Sequence, residues 1–428
     1  MRLLHHTQKK MLVFKFGGAS VKDAQGVINL GKVVSGYAGN QLLVVVSAMG
    51  KTTNALEKLT NAYVNSDGDV HEIFDELKAY HYQIIAELFE PGHPVFDEVA
   101  NTFVEIDWMI EDEPQDDYDF IYDQIVSIGE LVSTRIVNAW FNHEGIASKW
   151  LDVRGYIHTD NTYREGVVDW AKTRESIQKD FPALLEKSII VTQGFLGGTS
   201  ENFTTTLGRE GSDYTASIIA SCLGAESVTT WKDVPGILNA DPKYFADTIK
   251  FDELSYQEAI EMTFYGASVI HPKTIKPLQN AKIPLLVKPF TDPDAPGTII
   301  KENAVNSFAK PVIIVKQKQV MLSVSAGDYS FISESHLSEI FGLFAKNHVK
   351  VNVMQTSALS FTACIDFVPE RFEKLLASLK AFFKVKYNDN LTLITLRHYN
   401  DESLAEVTAG KTILMKQTSR NTAQMVVK

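Results

Sequence analysis

Gln193-Gly194-Phe195-Leu196-Gly197-Gly198, followed by Thr204-Thr205-Thr206-Leu207-Gly208-Arg209-Glu210-Gly211-Ser212-Asp213, is the stretch on which the fold turns. A β-branched run at 188–192 precedes it and a helical pattern at 212–223 follows it, so it reads as a strand–helix junction. Glycines let a backbone come close to a ligand, and threonine hydroxyls and main-chain N–H groups at a helix start favour anions. Arginine grips a carboxylate bidentately, and an aspartate can hold an amine or orient a lysine. Solvent loops seldom need this density of such residues.

Outward from it, three more junctions share the design. Lys15-Phe16-Gly17-Gly18-Ala19-Ser20 ends a short apolar strand at 12–16 and precedes a helix at 23–37. Ser47-Ala48-Met49-Gly50, then Lys51-Thr52-Thr53-Asn54, follows the apolar run Leu42-Leu43-Val44-Val45-Val46, which reads as a strand buried on both faces. Trp231-Lys232-Asp233-Val234-Pro235-Gly236-Ile237 follows a strand at 227–231, with Asp241-Pro242-Lys243 beyond it. This alternation of strands and helices predicts an α/β fold with a mostly parallel sheet sandwiched by helices. In such sheets ligands bind beyond the strand C-termini, so the four junctions should converge on one crevice.

The rest of the chain divides around this core. Helical periodicity at 54–89 and 120–143 suggests a helical insertion at about 54–143. Its stretch 79–134 has 14 acidic residues and no Lys or Arg, and without calcium-loop spacing it reads as a solvated helical face plus loop rather than a metal site. From 311 the pattern becomes βαββαβ, a ferredoxin-like module, ending in a hairpin with Ser419-Arg420-Asn421 at its tip. Two strands are expected at 312–315 and 321–325, and another at 391–396. Charge changes sign at the same point: residues 310–428 hold 15 basic and 10 acidic side chains, whereas 1–309 hold 26 and 43.

Composition excludes several classes. The 428 residues are 45% hydrophobic and 22% charged, a globular balance. A net charge of −12 disfavours nonspecific nucleic-acid binding. No apolar run reaches membrane-spanning length. Two cysteines, Cys222 and Cys364, fit a reducing, cytoplasmic setting and cannot build a disulfide framework or zinc ribbon. Residues 1–10 are basic without an apolar segment and read as a flexible arm, with Met11 as an alternative start. Gly50-Lys51-Thr52 and Gly410-Lys411-Thr412 are not P-loops, because Val45 and Ala405 stand where the first glycine must be. Histidines are scattered without metal spacing.

The ordered set K-F-G-G-x-S-V, T-T-L-G-R-x-G-S-D, D-V-P-G-I and D-P-K resembles aspartokinase, of the amino-acid kinase superfamily, over roughly residues 11–300. The ferredoxin-like part resembles that family's ACT regulatory domains. The resemblance implies an amino-acid-kinase-like catalytic domain at 11–305 and an ACT region at 311–428 with a truncated second unit. It implies transfer of the ATP γ-phosphoryl group to the side-chain carboxylate of L-aspartate, with Mg2+, giving 4-phospho-L-aspartate, the first step of lysine, threonine and methionine biosynthesis. Lys15 matches the lysine that neutralises the transferring group, and Phe16, Gly17 and Gly18 lie at the phosphate-cradling backbone. Ser47, Thr53, Glu130, Arg209, Ser212 and Asp213 match the aspartate side. Arg209 would take the α-carboxylate and Glu130 the α-amine, while Asp213 would help hold the amine or orient Lys15. Lys232, Asp233 and Lys243 match the nucleotide side, and Leu238 and Ser268 stand at nucleotide-side positions where the family commonly has other residues.

Departures from the family pattern at Ala19, Glu210, Leu238, Lys243 and Ser268 weaken the nucleotide match rather than the chemistry. Lysine-sensitive members carry an acidic residue on the strand matching Val351-Asn352-Val353 and a glutamate after Thr-Ser, where this chain has Asn352 and Ala358, so an amino-acid effector at the ACT region is left open and lysine feedback through this site is expected to be weak or absent. By analogy a homodimer or higher homo-oligomer is expected. Another acid kinase on this fold, or a silent amino-acid sensor, are the competing readings.

Overall fold

The computed structural model describes residues 9–267, 270–304, 310–328 and 330–428. Most of the arm at 1–10, Ser268, and part of the expected junction at 305–311 lie outside them.

The apolar run at 42–46 is β2 (Gln41–Val46), with all five of those side chains buried. Beside it lies β1 (Met11–Phe16), which places Lys15 opposite Val45 on one side and opposite Thr230 on the other. The remaining strands of this sheet are β3 (Ser148–Leu151), β4 (Ile189–Gln193), β7 (Ser227–Lys232), β8 (Glu253–Ser255), β9 (Leu285–Pro289) and β10 (Thr298–Lys301), in the order β3-β4-β2-β1-β7-β9-β10-β8. Every pairing is parallel except β9 with β10. A separate hairpin, β5 (Leu196–Gly198) with β6 (Thr204–Thr206), lies within the Gly- and Thr-rich strand–helix junction.

Helix α1 (Ala24–Ser35) starts where Asp23 accepts the Gly26 N–H at 2.8 Å. The insertion holds α2 (Thr52–Asn65), α3 (Val70–Leu88), α4 (Val95–Glu111) and α5 (Tyr118–His143). The periodic stretch at 54–89 is two helices: Ser66 turns left-handed at φ 51°, and Asp69 caps the next start by accepting from Glu72 N. α4 lies in the acidic stretch read partly as loop. Its acids mask an apolar stripe, Val95, Val99, Phe103, Ile106 and Ile110, which is buried. Then come α6 (Trp170–Leu185), α7 (Gly211–Leu223), α8 (Tyr256–Phe264) and α9 (Pro272–Ala281).

The C-terminal sheet is antiparallel, in the order β12-β13-β11-β14-β16-β15. The two strands expected at its start are one, β11 (Val312–Ser325), with a register shift between Lys316 and Gln319. It is followed by α10 (Glu334–Lys346), β12 (Val351–Thr356), β13 (Phe361–Asp366), α11 (Pro369–Lys380), β14 (Lys384–Arg397), α12 (Asp401–Thr408), β15 (Ile413–Thr418) and β16 (Thr422–Val427). A short helix, α12, stands between β14 and the closing hairpin, in the unit expected to be truncated. α10 and α11 cover one sheet face through Ile340, Phe344, Phe372, Leu375 and Leu379.

The chain folds into two units, and their boundary is not a single point. The unit built on the C-terminal sheet also takes in Leu238–Ile249 and the stretch that begins at Glu261. Asn239 ties the first of these down: its amide donates to Pro311 O at 3.0 Å, and its own carbonyl accepts from Ile313 N at 2.7 Å. Glu261 pairs with the buried Arg397 at 2.9 Å.

Candidate active site

β4, β2, β1 and β7 are parallel neighbours, so their C-terminal ends lie along one sheet edge. Main-chain bonds lace the junctions there: Ser47 N donates to Phe16 O, Gly50 N to Gly18 O, and Gly194 N to Val46 O. Gly18 is required by this closeness, since a Cβ on it would stand 2.6 Å from Ala48 O and 2.9 Å from Gly50 O.

Lys15 reaches from the end of β1 to Asp213 in the first turn of α7, with 3.0 Å between Nζ and Oδ1. Lys232, at the end of β7, approaches the other oxygen at 4.0 Å. Burial pushes the Asp213 carboxyl up, but the charges of Lys15 and Lys232 and the Thr230 hydroxyl hold it below its ordinary value. One buried carboxylate thus stands between two ammonium groups, which leaves a surplus of positive charge suited to phosphate.

Glu130 comes from α5 and is 2% exposed. One oxygen accepts from Ala48 N at 3.3 Å, and Oε2 has no hydrogen-bond partner. Burial pushes its carboxyl up to about 8, against the opposing pull of the Ala48 N–H and the Lys15 charge. Gly129 lets α5 pack this closely, because a Cβ there would meet Thr52 and Ala48 side chains at 2.9 and 3.1 Å. Ser133, one turn beyond, donates to Ser47 O at 2.7 Å.

Arg209 is exposed and makes no hydrogen bond or ion pair among the described residues. Glu210 adopts φ 54°, the left-handed region that favours glycine, and its carboxylate accepts from His271 N at 2.7 Å. Ser212 is buried, and Ser47 and Thr53 are half-buried.

The expected nucleotide residues stand as follows. The Phe16 ring is fully buried in the core, stacked on Trp231 at 6.0 Å, so only its backbone can serve a ligand. Asp233 is exposed. Leu238 and Lys243 lie on Leu238–Ile249, in the other packing unit. Ser268 is outside the described residues. Among the described residues no cluster of three His, Cys, Asp or Glu could hold a metal ion. Sequence reasoning missed Asp123, a fully buried carboxylate on α5. Its spacing of seven from Glu130, two helical turns on one face, was the available signal.

A sequence model of the Amino acid kinase family matches residues 10–289. The chain is 30% identical over 394 residues to lysine-sensitive aspartokinase 3 of Escherichia coli, covering 90% of this chain and 87% of that protein. It is 31% identical to chloroplastic aspartokinase 3 of Arabidopsis thaliana, covering 86% of this chain and 66% of that one. Among solved structures, E. coli aspartokinase III in complex with aspartate and ADP superposes with a TM-score of 0.82 at 28% identity, over 98% of this chain and 96% of that one. The same enzyme in complex with lysine and aspartate gives 0.80 at 28%, over 97% and 96%. The chain belongs to the amino acid kinase family, and within it to the aspartokinases.

Proposed function

We infer that this chain is an aspartate kinase, moving the γ-phosphoryl group of ATP onto the side-chain carboxylate of L-aspartate. The observation that carries the reading is the buried Lys15–Asp213–Lys232 arrangement beside Glu130 Oε2, a carboxylate oxygen with no partner. Glu130 receives the substrate ammonium and Arg209 its α-carboxylate, which leaves the β-carboxylate facing the phosphate-seeking ammonium groups. That carboxylate attacks phosphorus directly and needs no general base. The new bond is carboxylate oxygen to phosphorus, the β–γ bridging bond breaks, and ADP carries away the electron pair. Lys15 neutralises charge on the transferring group, and Asp213 fixes Lys15. Mg2+ enters with the nucleotide as part of the substrate, bridging its phosphates.

Residues 11–305 act as the catalytic domain and 311–428 as an ACT regulatory region that takes an amino-acid effector. The chain works as a homo-oligomer in the cytoplasm, a setting supported by two free, buried cysteines. The test is hydroxylamine trapping of the acyl phosphate with Mg-ATP and either L-aspartate or L-glutamate. Hydroxamate with aspartate alone is expected. Product with glutamate alone would make the chain a different acid kinase, and no product with either would make it a sensor.

A further inference from the structure

Strand β6 leads directly into the Gly208–Arg209 turn, and among the described strands it pairs with β5 alone. Its other edge is met by two consecutive side chains of α5. Gln124 accepts from Thr204 N at 3.1 Å and donates to Thr204 O at 2.9 Å. Asp123 accepts from Thr206 N at 2.8 Å through Oδ2 and from the Thr206 hydroxyl at 2.7 Å through Oδ1. Asp123 Oδ2 also accepts from Arg164 N at 2.8 Å. Arg164 and Glu165 flank Gly208, whose Cβ, were it present, would lie 3.3 Å from each, and Gly166 N donates to Thr206 O at 2.9 Å. One buried carboxylate therefore pins both walls of the turn that carries Arg209.

We propose that Asp123 is a positioning residue for substrate recognition: by holding Thr206 and the Arg164 main chain, it sets the Gly208–Arg209 turn where Arg209 meets the α-carboxylate of the amino-acid substrate. The proposal rests on the aspartate-kinase reading of Arg209. Asp123 is not serving as an ion-pair partner, because the Arg164 guanidinium lies toward Asp119 and over the Tyr122 ring. Burial pushes the Asp123 carboxyl up to about 6, opposed by its three donors and the Arg164 charge, so near neutrality it is the ionised acceptor those donors require. Asp123 and Glu130 divide the work of one helix face. The first is saturated by the protein's own backbone, and the second keeps an oxygen for the ligand.

The test compares Asp123→Ala, Asp123→Asn and Thr206→Val by steady-state kinetics in the hydroxamate assay, with thermal unfolding as the folding control. In Asp123→Ala the KM for aspartate should rise about tenfold or more while the KM for ATP stays within about twofold, because the buried Thr206 N–H and the part-buried Arg164 N–H lose their acceptor. Asp123→Asn keeps an acceptor toward both N–H groups and should restore the aspartate KM to within about threefold of wild type. Thr206→Val, which removes only the hydroxyl, should raise it about threefold, and it keeps the test decisive if Asp123→Ala does not fold. An unmoved aspartate KM in a folded Asp123→Ala or in Thr206→Val, or an equal rise for both substrates, overturns the proposal. Absence of hydroxamate from the wild-type protein with aspartate would instead overturn the function on which it rests.

Discussion

Two carboxylates close to Lys15 are driven in opposite directions. Asp213, between two ammonium groups, is held below its ordinary value, so it stays an anion at every pH at which the enzyme could work. Its contribution to stability is present above the ordinary carboxylate range and is lost only as acid protonates it. Glu130, buried without a paired cation, is pushed up to about 8 from 4.5. Its folded state holds a proton that the unfolded chain has lost, so its effect on stability falls as pH rises from about 4.5 to about 8. An incoming substrate ammonium favours the charged form. Aspartate binding at pH 7 is therefore expected to release a proton, measurable by calorimetry in buffers of different ionisation enthalpy, and Glu130→Gln should abolish that release. Binding without proton release from the wild type would exclude Glu130 as the ammonium partner. Lys15→Ala should lose about 3–4 kcal/mol of transition-state stabilisation, the scale of a single electrostatic donor, read as kcat/KM. Near-normal turnover would remove Lys15 from the mechanism.

At the level of elements, the site is made by close approach. The loop after β1 and the loop after β2 touch backbone to backbone at Gly18, and α5 presses on the second loop at Gly129. Gly18→Ala would drive a methyl group into Ala48 O and Gly50 O, neither of which is the end of a flexible side chain. It should cost about 1–3 kcal/mol in urea unfolding and raise the KM for ATP, because the two loops must part. A variant with unchanged stability and unchanged KM would show that the loops are free to move. His81 supports the same region from α3. Burial pushes its imidazole down to about 4, and it meets the Thr52 hydroxyl at 3.3 Å and Leu77 O at 2.8 Å. The neutral ring donates to Leu77 O and accepts from Thr52, which anchors the first turn of α2 beside Thr53.

For the molecule as a whole, the expectation that lysine has little effect rests on the groups around Asn352. Lys316 donates to Asn352 Oδ1 and to Asp366 Oδ2, both at 2.9 Å, while Gln319 and Asn352 amides also donate to Asp366. The carboxylate that a free lysine ammonium would need is thus already neutralised by the chain's own lysine. Burying a second ammonium there would cost more than its contacts return. L-lysine is expected to leave the activity unchanged below millimolar concentration, whereas inhibition at sub-millimolar lysine would refute this. The two packing units also share the chain in an interleaved way. Leu238–Ile249 leaves the first unit for the second and returns, fixed by Asn239, and the stretch from Glu261 is fixed by Arg397.

Periodicity and junction chemistry determined a good deal by themselves. The parallel strands flanked by glycines, the βαββαβ module, and the junction residues Lys15, Arg209 and Asp213 are readable from local spacing and residue chemistry, whereas Glu130 is reached only through the family resemblance. Tertiary structure decided what spacing cannot. Lys232 shares Asp213 with Lys15 only because β7 lies next to β1, a neighbour more than two hundred residues away in sequence. Asp123 looks like one more acid in an acidic stretch until β6 and the Arg164 loop are brought to it. The Gly- and Thr-rich strand–helix junction does not show its hairpin in sequence, because β5 and β6 are very short and their partners include side chains of a distant helix. Burial and partner choice are properties of the assembled fold, and they alone separate a solvated carboxylate from one that positions a substrate.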